Sequence, residues 1–231
     1  MKKNIFSIAA ILLATVVIFS SCGKEDLNDP VVTLTGDAVM ELDLGATWED
    51  PGATATDEED GKLTSKIVVV GEVDTDKVGA YEIVYKVTDK AGNEGSATRT
   101  VNVKAGKLVH DYVAKIFDGE TDDLYGDYNI TPVASVEYNK IVFLGFAGLG
   151  ENVKFDARVE GYNIALEDKE IAGQANGQNV WVRFQNINGT YEKAGNNNYV
   201  ITGFEYEEVW SIDANFTDTQ TYTTKEVWTL Q

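Results

Sequence analysis

The chain has very little of several residue types, and each shortage excludes a class of function. Its 231 residues include one cysteine, one histidine and three prolines. One cysteine cannot form a disulfide within the chain or a cysteine-rich zinc module, and one histidine leaves little room for histidine-based metal or triad chemistry. The chain has 19 Lys and Arg against 38 Asp and Glu, a net charge of −19. Because phosphate backbones are repelled by such a surface, no nucleic acid is expected as a partner.

A hydrophobic region too short to cross a membrane lies at the N-terminus. Lys2 and Lys3 precede a 15-residue hydrophobic region at residues 5–19, which is followed by small residues. A membrane-spanning helix needs roughly 20 apolar residues. Residues 1–21 are therefore predicted to be a signal peptide that is removed from the mature protein.

The end of this region, Phe19-Ser20-Ser21-Cys22-Gly23, resembles the lipobox of bacterial lipoproteins. The resemblance implies cleavage before Cys22 and lipidation of its thiol, so a membrane would be reached through the lipid anchor. An ordinary secretory signal with an incidental cysteine is the alternative. Residues 22–30 would be the lipidated cysteine and a polar tether. Lys24-Glu25-Asp26 resembles the export signal of surface lipoproteins, which implies the outer face of the outer membrane, although a plain linker looks similar.

Residues 31–104 have the pattern of a β-sandwich. Short apolar runs alternate with Gly, Asp and Asn clusters, and no 3.6-residue period is present. Residues 81–87 and 99–103, joined by a turn at 89–93, predict a hairpin. Further strands are predicted at residues 31–34, 39–44, 48–54 and 67–70. Six or seven strands in this length are typical of a sandwich.

This segment also carries an ordered set of short motifs. They are Pro30-Val31-Val32-Thr33-Leu34, Leu44-Gly45-Ala46-Thr47-Trp48, Asp50-Pro51-Gly52-Ala53, Asp60-Gly61-Lys62-Leu63-Thr64, Tyr85-Lys86-Val87-Thr88-Asp89 and Ala91-Gly92-Asn93. In this order they resemble a family of bacterial immunoglobulin-like domains of surface proteins. The resemblance implies a cysteine-free sandwich that serves as a spacer or adhesive module and does not catalyse a reaction.

An acidic loop at residues 57–61 is a candidate Ca²⁺ site, because this hard cation selects oxygen ligands clustered on a turn. The predicted ligands are Asp57, Asp60 and, from the hairpin turn, Asp89. The loop lacks the alternating acids of an EF-hand. The alternative is a solvated turn in which Asp60-Gly61 caps a bend. Apart from Ca²⁺, no cofactor is expected.

Residues 105–231 form a second segment, which contains 19 of the 24 aromatic residues. Alternating apolar runs predict strands at residues 140–146, 153–159, 162–166, 180–184, 199–210 and 222–230. Asn176-Gly177 and Asn188-Gly189 are predicted tight turns, and residues 108–117 fit a short helix or an opening strand. The all-β prediction is an antiparallel meander of about eight strands that closes as a barrel or half-barrel, because open edges promote aggregation. The strand and glycine spacing loosely resembles lipocalin-like lipoprotein domains.

The aromatic residues of this segment are the main indication of function. Tyr and Trp stack on sugar faces, but they also fill β cores. The candidate ligand-binding residues are Trp181, Tyr206 and Trp210 on long strands, together with Tyr191 and Tyr199 beside the polar loop at 195–198.

Three roles remain open at this stage. The first is a non-catalytic, surface-tethered binding lipoprotein that takes glycans for nutrient uptake. The second is a structural or adhesive component that contacts other envelope proteins. The third is a glycoside hydrolase, which needs two carboxylates. Asp122-Asp123 and Glu205-Glu207-Glu208 offer such pairs, but pairs arise by composition alone in a chain with 38 acids. No catalytic residue is therefore predicted, and the chain is not expected to be an enzyme.

Overall fold

The structure is a computed structural model that describes residues 25–175, 177–195 and 198–231. The predicted signal peptide at residues 1–21 and the lipidation site Cys22 lie outside these ranges. The described residues form 17 β-strands and three short 3-10 helices, at Thr64–Lys66, Ala105–Leu108 and Phe146–Gly148, so the all-β prediction is confirmed. Within the same residues, no helix has the length and apolar character needed to cross a membrane.

The first seven strands form two sheets that pack as a sandwich. The strands are β1 (Val31–Leu34), β2 (Val39–Asp43), β3 (Ala53–Asp57), β4 (Gly61–Lys62), β5 (Val68–Val70), β6 (Gly79–Thr88) and β7 (Glu94–Lys104). One sheet has the order β1-β3-β4 and the other β2-β7-β6-β5. The predicted hairpin is β6–β7, in which Ile83 lies opposite Arg99. Ala55, Leu63 and Val87 form a small core between the sheets.

A buried arginine displaces one predicted strand of the sandwich. The side chain of Arg99 is fully buried, and its Nη1 donates to Asp50 Oδ1 at 2.7 Å. The same oxygen accepts the backbone amide of Gly52 at 2.9 Å, and Gly52 has a φ of +79°. A turn is therefore fixed at residues 50–52, and the strand starts at Ala53. The predicted strand over residues 48–54 is wrong in its first five positions, because Asp50 faces Arg99 instead of continuing a sheet.

The remaining ten strands form one curled antiparallel sheet. They are β8 (Tyr112–Asp118), β9 (Leu124–Ile130), β10 (Val133–Ala134), β11 (Lys140–Gly145), β12 (Gly150–Glu160), β13 (Asn163–Leu166), β14 (Lys169–Ala175), β15 (Gln178–Lys193), β16 (Tyr199–Ser211) and β17 (Thr219–Leu230). Nine follow the order β10-β11-β12-β13-β15-β16-β17-β8-β9, and β14 pairs with β15. The strands β9 and β10 are the two ends of this order and do not pair with each other, so the sheet is a half-barrel rather than a closed barrel. The opening-strand interpretation of residues 108–117 is correct from Tyr112 onward.

The predicted turn at Asn188-Gly189 is wrong, because both residues lie inside β15. Gly189 allows the ring of Phe204 to pack directly against its backbone. A Cβ atom at Gly189 would lie 2.4 Å from the ring of Phe204 on the neighbouring strand, so any side chain would displace that ring.

Aromatic side chains fill the inner face of the half-barrel. The rings of Phe146, Phe204 and Trp228 lie with centroids 5.0 to 6.3 Å apart, and Phe143 contacts all three. Such tilted and edge-to-face pairs stabilise a core by about 0.5–1.5 kcal/mol each beyond the area that they bury. Most of the aromatic residues of this segment are therefore part of the hydrophobic core.

The core continues from the half-barrel into the sandwich. Val78 and Val103 of the sandwich pack in the same cluster as Tyr199. The backbone N–H of Gly161 donates to the carbonyl of Val78 at 2.9 Å, which joins the two units by a β-bridge. A Cβ atom at Gly45 would lie 2.6 Å from the ring of Tyr199. The two units are therefore packed against each other rather than joined by a loose linker.

Candidate functional site

A pocket with three aromatic side chains opens on the inner-face side of β16 and β17, beyond the end of the packed core. Its volume is about 440 Å³. The residues that line it are Tyr125, Glu208, Trp210, Gln220, Tyr222 and Thr224. We refer to it as the aromatic pocket. Tyr125 and Tyr222 are 63% and 47% exposed, whereas the aromatic side chains deeper in the half-barrel are almost fully buried.

Strand alternation places these residues on one face. Glu208 and Trp210 follow the buried Tyr206 at intervals of two along β16, so all three point to the same side. On β17, Gln220 lies directly opposite Trp210, and Tyr222 lies opposite Glu208. The pocket is thus the continuation of the core-facing side, at a point where the sheet is no longer covered.

Hydrogen bonds fix the orientation of the polar and aromatic groups in the pocket. Trp210 Nε1 donates to Glu208 Oε2 at 2.9 Å, and Thr224 Oγ1 donates to Glu208 Oε1 at 3.3 Å. The hydroxyl of Tyr222 donates to Gln220 Oε1 at 2.8 Å. The indole ring is therefore held through its edge. A fixed aromatic ring with carboxylate and amide groups beside it is pre-organised for a ligand with apolar faces and polar edges.

The outer wall of the pocket is negatively charged. The hydroxyl of Tyr125 donates to Asp118 Oδ2 at 2.5 Å. This hydrogen bond raises the pKa of Tyr125 to about 12, with the charges of Asp118, Asp123 and Glu208 acting in the same direction. The same bond and the backbone amides of Thr121 and Glu120 lower the pKa of Asp118 to about 2. Asp118 is therefore ionised at neutral pH.

A buried carboxylate lies further along the same face of β17. Glu226 is 2% exposed and accepts hydrogen bonds from the hydroxyl of Tyr206 at 2.9 Å, the hydroxyl of Tyr128 at 2.8 Å and Trp228 Nε1 at 2.8 Å. Burial raises the pKa of Glu226 to about 7, although the three hydrogen bonds oppose this rise. Sequence reasoning missed Glu226, since a lone acid in a β-strand normally faces solvent. Its only sequence signal is its place between inward-facing Thr224 and Trp228.

Three of the five predicted ligand-binding residues are buried, so their prediction as surface residues is wrong. The hydroxyl of Tyr191 accepts the backbone N–H of Val78 at 3.0 Å and donates to the carbonyl of Gly161 at 2.6 Å. The hydroxyl of Tyr199 donates to Asp76, which also accepts Lys193 Nζ at 2.8 Å. Both tyrosines therefore join the half-barrel to the sandwich. Tyr206 is buried against Glu226.

The two predicted tryptophans are on opposite faces of the sheet. Trp210 lines the aromatic pocket. On β15, Val182 lies directly opposite Trp210 and shares its face of the sheet. Trp181 is the neighbour of Val182 and lies opposite Ser211, so its side chain is on the other face. Trp181 is half-buried and therefore faces away from the pocket. Only Trp210 of the predicted set lies where a ligand in this pocket would contact it.

The acidic loops of the sandwich come together, with one change in the predicted ligand set. Asp57 and Asp89 each place a carboxylate oxygen within 4.8 Å of the other and of one from Asp26 in the tether. Asp57 Oδ1 accepts two turn amides, and its Oδ2 is buried without a hydrogen-bond partner among the described residues. Asp60 instead accepts both the backbone N–H of Lys90 at 2.8 Å and its Nζ at 2.7 Å. Asp26 thus takes the place predicted for Asp60.

We expect Asp89→Asn to abolish any rise in melting temperature caused by millimolar Ca²⁺, and Asp60→Asn to leave that rise unchanged. The reason is that Asp89 belongs to the three-carboxylate group, whereas Asp60 is neutralised by Lys90. Differential scanning calorimetry of residues 23–231 with Ca²⁺ and with EDTA measures the effect. A melting temperature that does not respond to Ca²⁺ would favour the alternative of solvated turns.

A second pocket, of about 580 Å³, lies on the opposite face of β16 and β17 and is lined mainly by Asn, Thr and Glu residues. It contains Glu205 and Glu207, the strand pair considered for hydrolysis, and these do share a face as predicted. Glu207 Oε2 accepts the side-chain amides of Gln185 at 2.8 Å and Asn186 at 3.0 Å. Glu208 points to the aromatic pocket instead. The three glutamates therefore do not form one carboxylate cluster.

Comparison with known proteins gives a family for the sandwich. Residues 32–103 match the family model of the bacterial surface protein Ig-like domain. The resemblance predicted for residues 31–104 is thus confirmed. The outer cell wall protein of Brevibacillus brevis is 38% identical in an alignment of 90 positions, and the alignment covers 32% of this chain and 9% of that protein. The chain therefore spans less than a tenth of the length of this curated relative.

Three solved structures show weaker similarity. A lipoprotein from Bacteroides thetaiotaomicron is 18% identical, with a TM-score of 0.34 over 87% of this chain and 100% of the other. Two Clostridium perfringens ZmpB structures each cover 87% of this chain with a TM-score of 0.28. One contains CBM51-2 in complex with GlcNAc and INT domains, at 16% identity and 44% of that chain. The other contains the M60 catalytic domain with CBM51-1 and CBM51-2, at 18% identity and 21% of that chain. Similarity at this level carries no functional conclusion.

Proposed function

We propose that the chain is a cell-surface protein that binds a glycan in the aromatic pocket and does not transform it. The observation that carries this proposal is the group of Tyr125, Trp210 and Tyr222 around one pocket, with Glu208 and Gln220 between them. Aromatic rings stack on the apolar faces of sugars, while carboxylate and amide groups bind the hydroxyls. The second, polar pocket has no such combination, since Phe204 and Tyr206 in its lining are buried.

The proposed location follows from the N-terminal residues. Cleavage after residue 21 and lipidation of Cys22 would anchor the chain in the outer membrane, with residues 22–30 as a tether and the sandwich as a stalk. Loss of the two lysines in residues 1–21 changes the net charge from −19 to −21. A mature chain with this charge is kept away from an anionic membrane surface. The half-barrel at residues 105–231 would then be presented as the binding head.

A second candidate function is an adhesive or structural contact with another envelope protein. One observation favours it. The strand β5 lies at the edge of its sheet, and its three valines, Val68, Val69 and Val70, are 61%, 50% and 50% exposed. An exposed apolar edge strand offers unpaired backbone groups to another chain.

The glycan proposal predicts that Trp210→Ala weakens binding about 30-fold. Loss of a central aromatic contact typically costs about 2 kcal/mol, which corresponds to that factor. A glycan array identifies a ligand for residues 23–231, and calorimetry with that ligand measures the affinity of each variant. Trp181→Ala is the matched control, because it removes the same ring from the opposite face and is expected to leave the affinity unchanged.

The same experiment separates the other roles. An array without any binding would contradict the glycan proposal and favour the protein-contact function of β5. Hydrolysis of a bound glycan that is abolished by Glu205→Gln would contradict the absence of catalysis.

A further inference from the structure

The charge around the aromatic pocket indicates which class of glycan it takes. Of the six residues that line the pocket, Glu208 is acidic and none is basic. Asp118 and Asp123 stand next to its outer wall, where Asp118 is bonded to Tyr125. One carboxylate therefore lines the pocket and two lie near the Tyr125 side chain at its outer wall, while the lining contains no positive charge to balance them.

The basic residues of the strands around the pocket are turned away from it. Val182 on β15 lies opposite Trp210 and shares its face. Arg183 is the next residue, so the side chain of Arg183 is on the other face of the sheet. There it is bonded to Glu170 at 2.6 Å and lies 4.2 Å from the ring of Phe216. Lys225 on β17 lines the opposite, polar pocket and approaches Asp122 at 3.7 Å. Neither cation neutralises Glu208 from within the pocket.

Aromatic rings beside an unbalanced carboxylate favour a positively charged ligand. The π face of Trp or Tyr attracts a cation, and the attraction grows as water is excluded. Glu208 already accepts one hydrogen bond on each oxygen, but a carboxylate has about four lone-pair sites, so both oxygens remain able to accept an ammonium N–H. The pocket thus combines stacking surfaces for a sugar ring with an acceptor for an amine.

We propose that the aromatic pocket selects an amino sugar with a free, protonated amine, such as the glucosamine units of a de-acetylated glycan. This inference rests on the proposed glycan-binding function and narrows its ligand to one chemical class. Acetylation of the amine removes the charge, so a neutral N-acetyl sugar of the same length offers stacking without the ionic contact.

Calorimetry with three matched oligosaccharides tests the inference on residues 23–231. The ligands are a glucosamine oligomer, the N-acetylglucosamine oligomer of the same length and the corresponding glucose oligomer, at mildly acidic pH and moderate salt. We expect the glucosamine oligomer to bind at least about tenfold more tightly than the other two. Glu208→Gln is expected to reduce this preference to less than about threefold, since it removes the charge and keeps the shape.

One control and one further test variant separate the pocket from the general negative charge of the chain. Glu205→Gln removes the same charge from the opposite face and is expected to keep the preference. Tyr125→Leu removes an exposed ring but no charge, and is expected to weaken binding of the amine without unfolding the chain. Where Glu208→Gln does not fold, Tyr125→Leu decides whether the amine binds in the pocket, and the comparison of the amine with the neutral sugars in the parent chain decides the preference.

The outcomes distinguish this inference from the proposed function. Equal affinity for the amine and the neutral sugars, lost in Trp210→Ala, would overturn the inference and leave the glycan-binding function standing. Binding of the amine that Glu208→Gln, Tyr125→Leu and Trp210→Ala all leave unchanged would place it on the general surface charge and overturn the inference. An absence of binding to any sugar would overturn both.

Discussion

Arg99→Met is expected to lower the free energy of unfolding of the sandwich by about 3 kcal/mol, because a fully buried guanidinium loses several hydrogen bonds and a hydrogen bond to a charged group contributes about 1.5–3 kcal/mol. The guanidinium is fully buried and donates to Asp50, to the hydroxyl of Tyr85 at 2.9 Å and to the carbonyls of Asp37 at 3.1 Å and Thr35 at 2.5 Å. Methionine fills similar space but donates no hydrogen bond. The buried hydroxyl of Tyr85 and the partly buried oxygens of Asp50, Thr35 and Asp37 would therefore lose their donor.

Urea unfolding of residues 23–231, followed by far-ultraviolet circular dichroism, measures this effect. The control is Arg183→Met, which breaks a largely exposed pair with Glu170 on the half-barrel and is expected to cost less than about 1 kcal/mol. Similar losses in the two variants would show that Arg99 is not the centre of the sandwich.

The second large effect is a pH dependence that comes from Glu226. Burial raises the pKa of Glu226 from 4.5 to about 7, so the folded chain binds a proton that the unfolded chain releases between these two values. Stability is therefore expected to fall as pH rises from 4.5 to about 7, by about 3 kcal/mol at 1.36 kcal/mol per pKa unit. The contribution is largest below pH 4.5 and is lost above pH 7.

Glu226→Gln is expected to remove this slope, because glutamine does not titrate. Urea unfolding at about pH 5 and about pH 8 compares the variant with the parent chain. Asp118 has the opposite sign, since its pKa is lowered to about 2, and its contribution is lost only as pH falls below the ordinary range of an aspartate. Asp118 therefore does not contribute to the slope above pH 5. Equal slopes in parent and variant would contradict the assignment, and Glu205→Gln on the opposite face serves as the control.

Local periodicity predicts much of this fold. The alternation of apolar and polar residues locates β6, β7, β12 and β16, because successive side chains of a strand point to opposite faces and the sequence shows this two-residue period. The wrong predictions concern residues whose conformation is set by side chains distant in the sequence. Asp50 leaves its predicted strand to bind Arg99, which is 49 residues away in the sequence. Asn188-Gly189 has turn composition, yet the closeness of Phe204 explains its glycine.

The candidate site can be predicted only in part from the sequence, because it also depends on contacts between residues distant in the sequence. Strand alternation cannot say which face of a sheet is covered, so Tyr206 in the core and Trp210 in the pocket look alike. Tyr199 contacts Asp76 from 123 residues away, a contact that no local pattern encodes. Tyr125 enters the pocket from β9, far in the sequence from Trp210 on β16 and Tyr222 on β17, so no local pattern groups the three.

The indole N–H resonance of Trp210 gives the most direct test of binding in the aromatic pocket. The chain has four tryptophans, and a ¹H–¹⁵N correlation spectrum of residues 23–231 resolves each indole N–H, with Trp210→Phe identifying its signal. The indole of Trp210 is bonded to Glu208 in the pocket, whereas that of Trp228 is bonded to the buried Glu226. We predict that a binding glycan shifts the Trp210 signal progressively to saturation and leaves the Trp228 signal in place. A glycan that binds without moving the Trp210 signal would contradict the account.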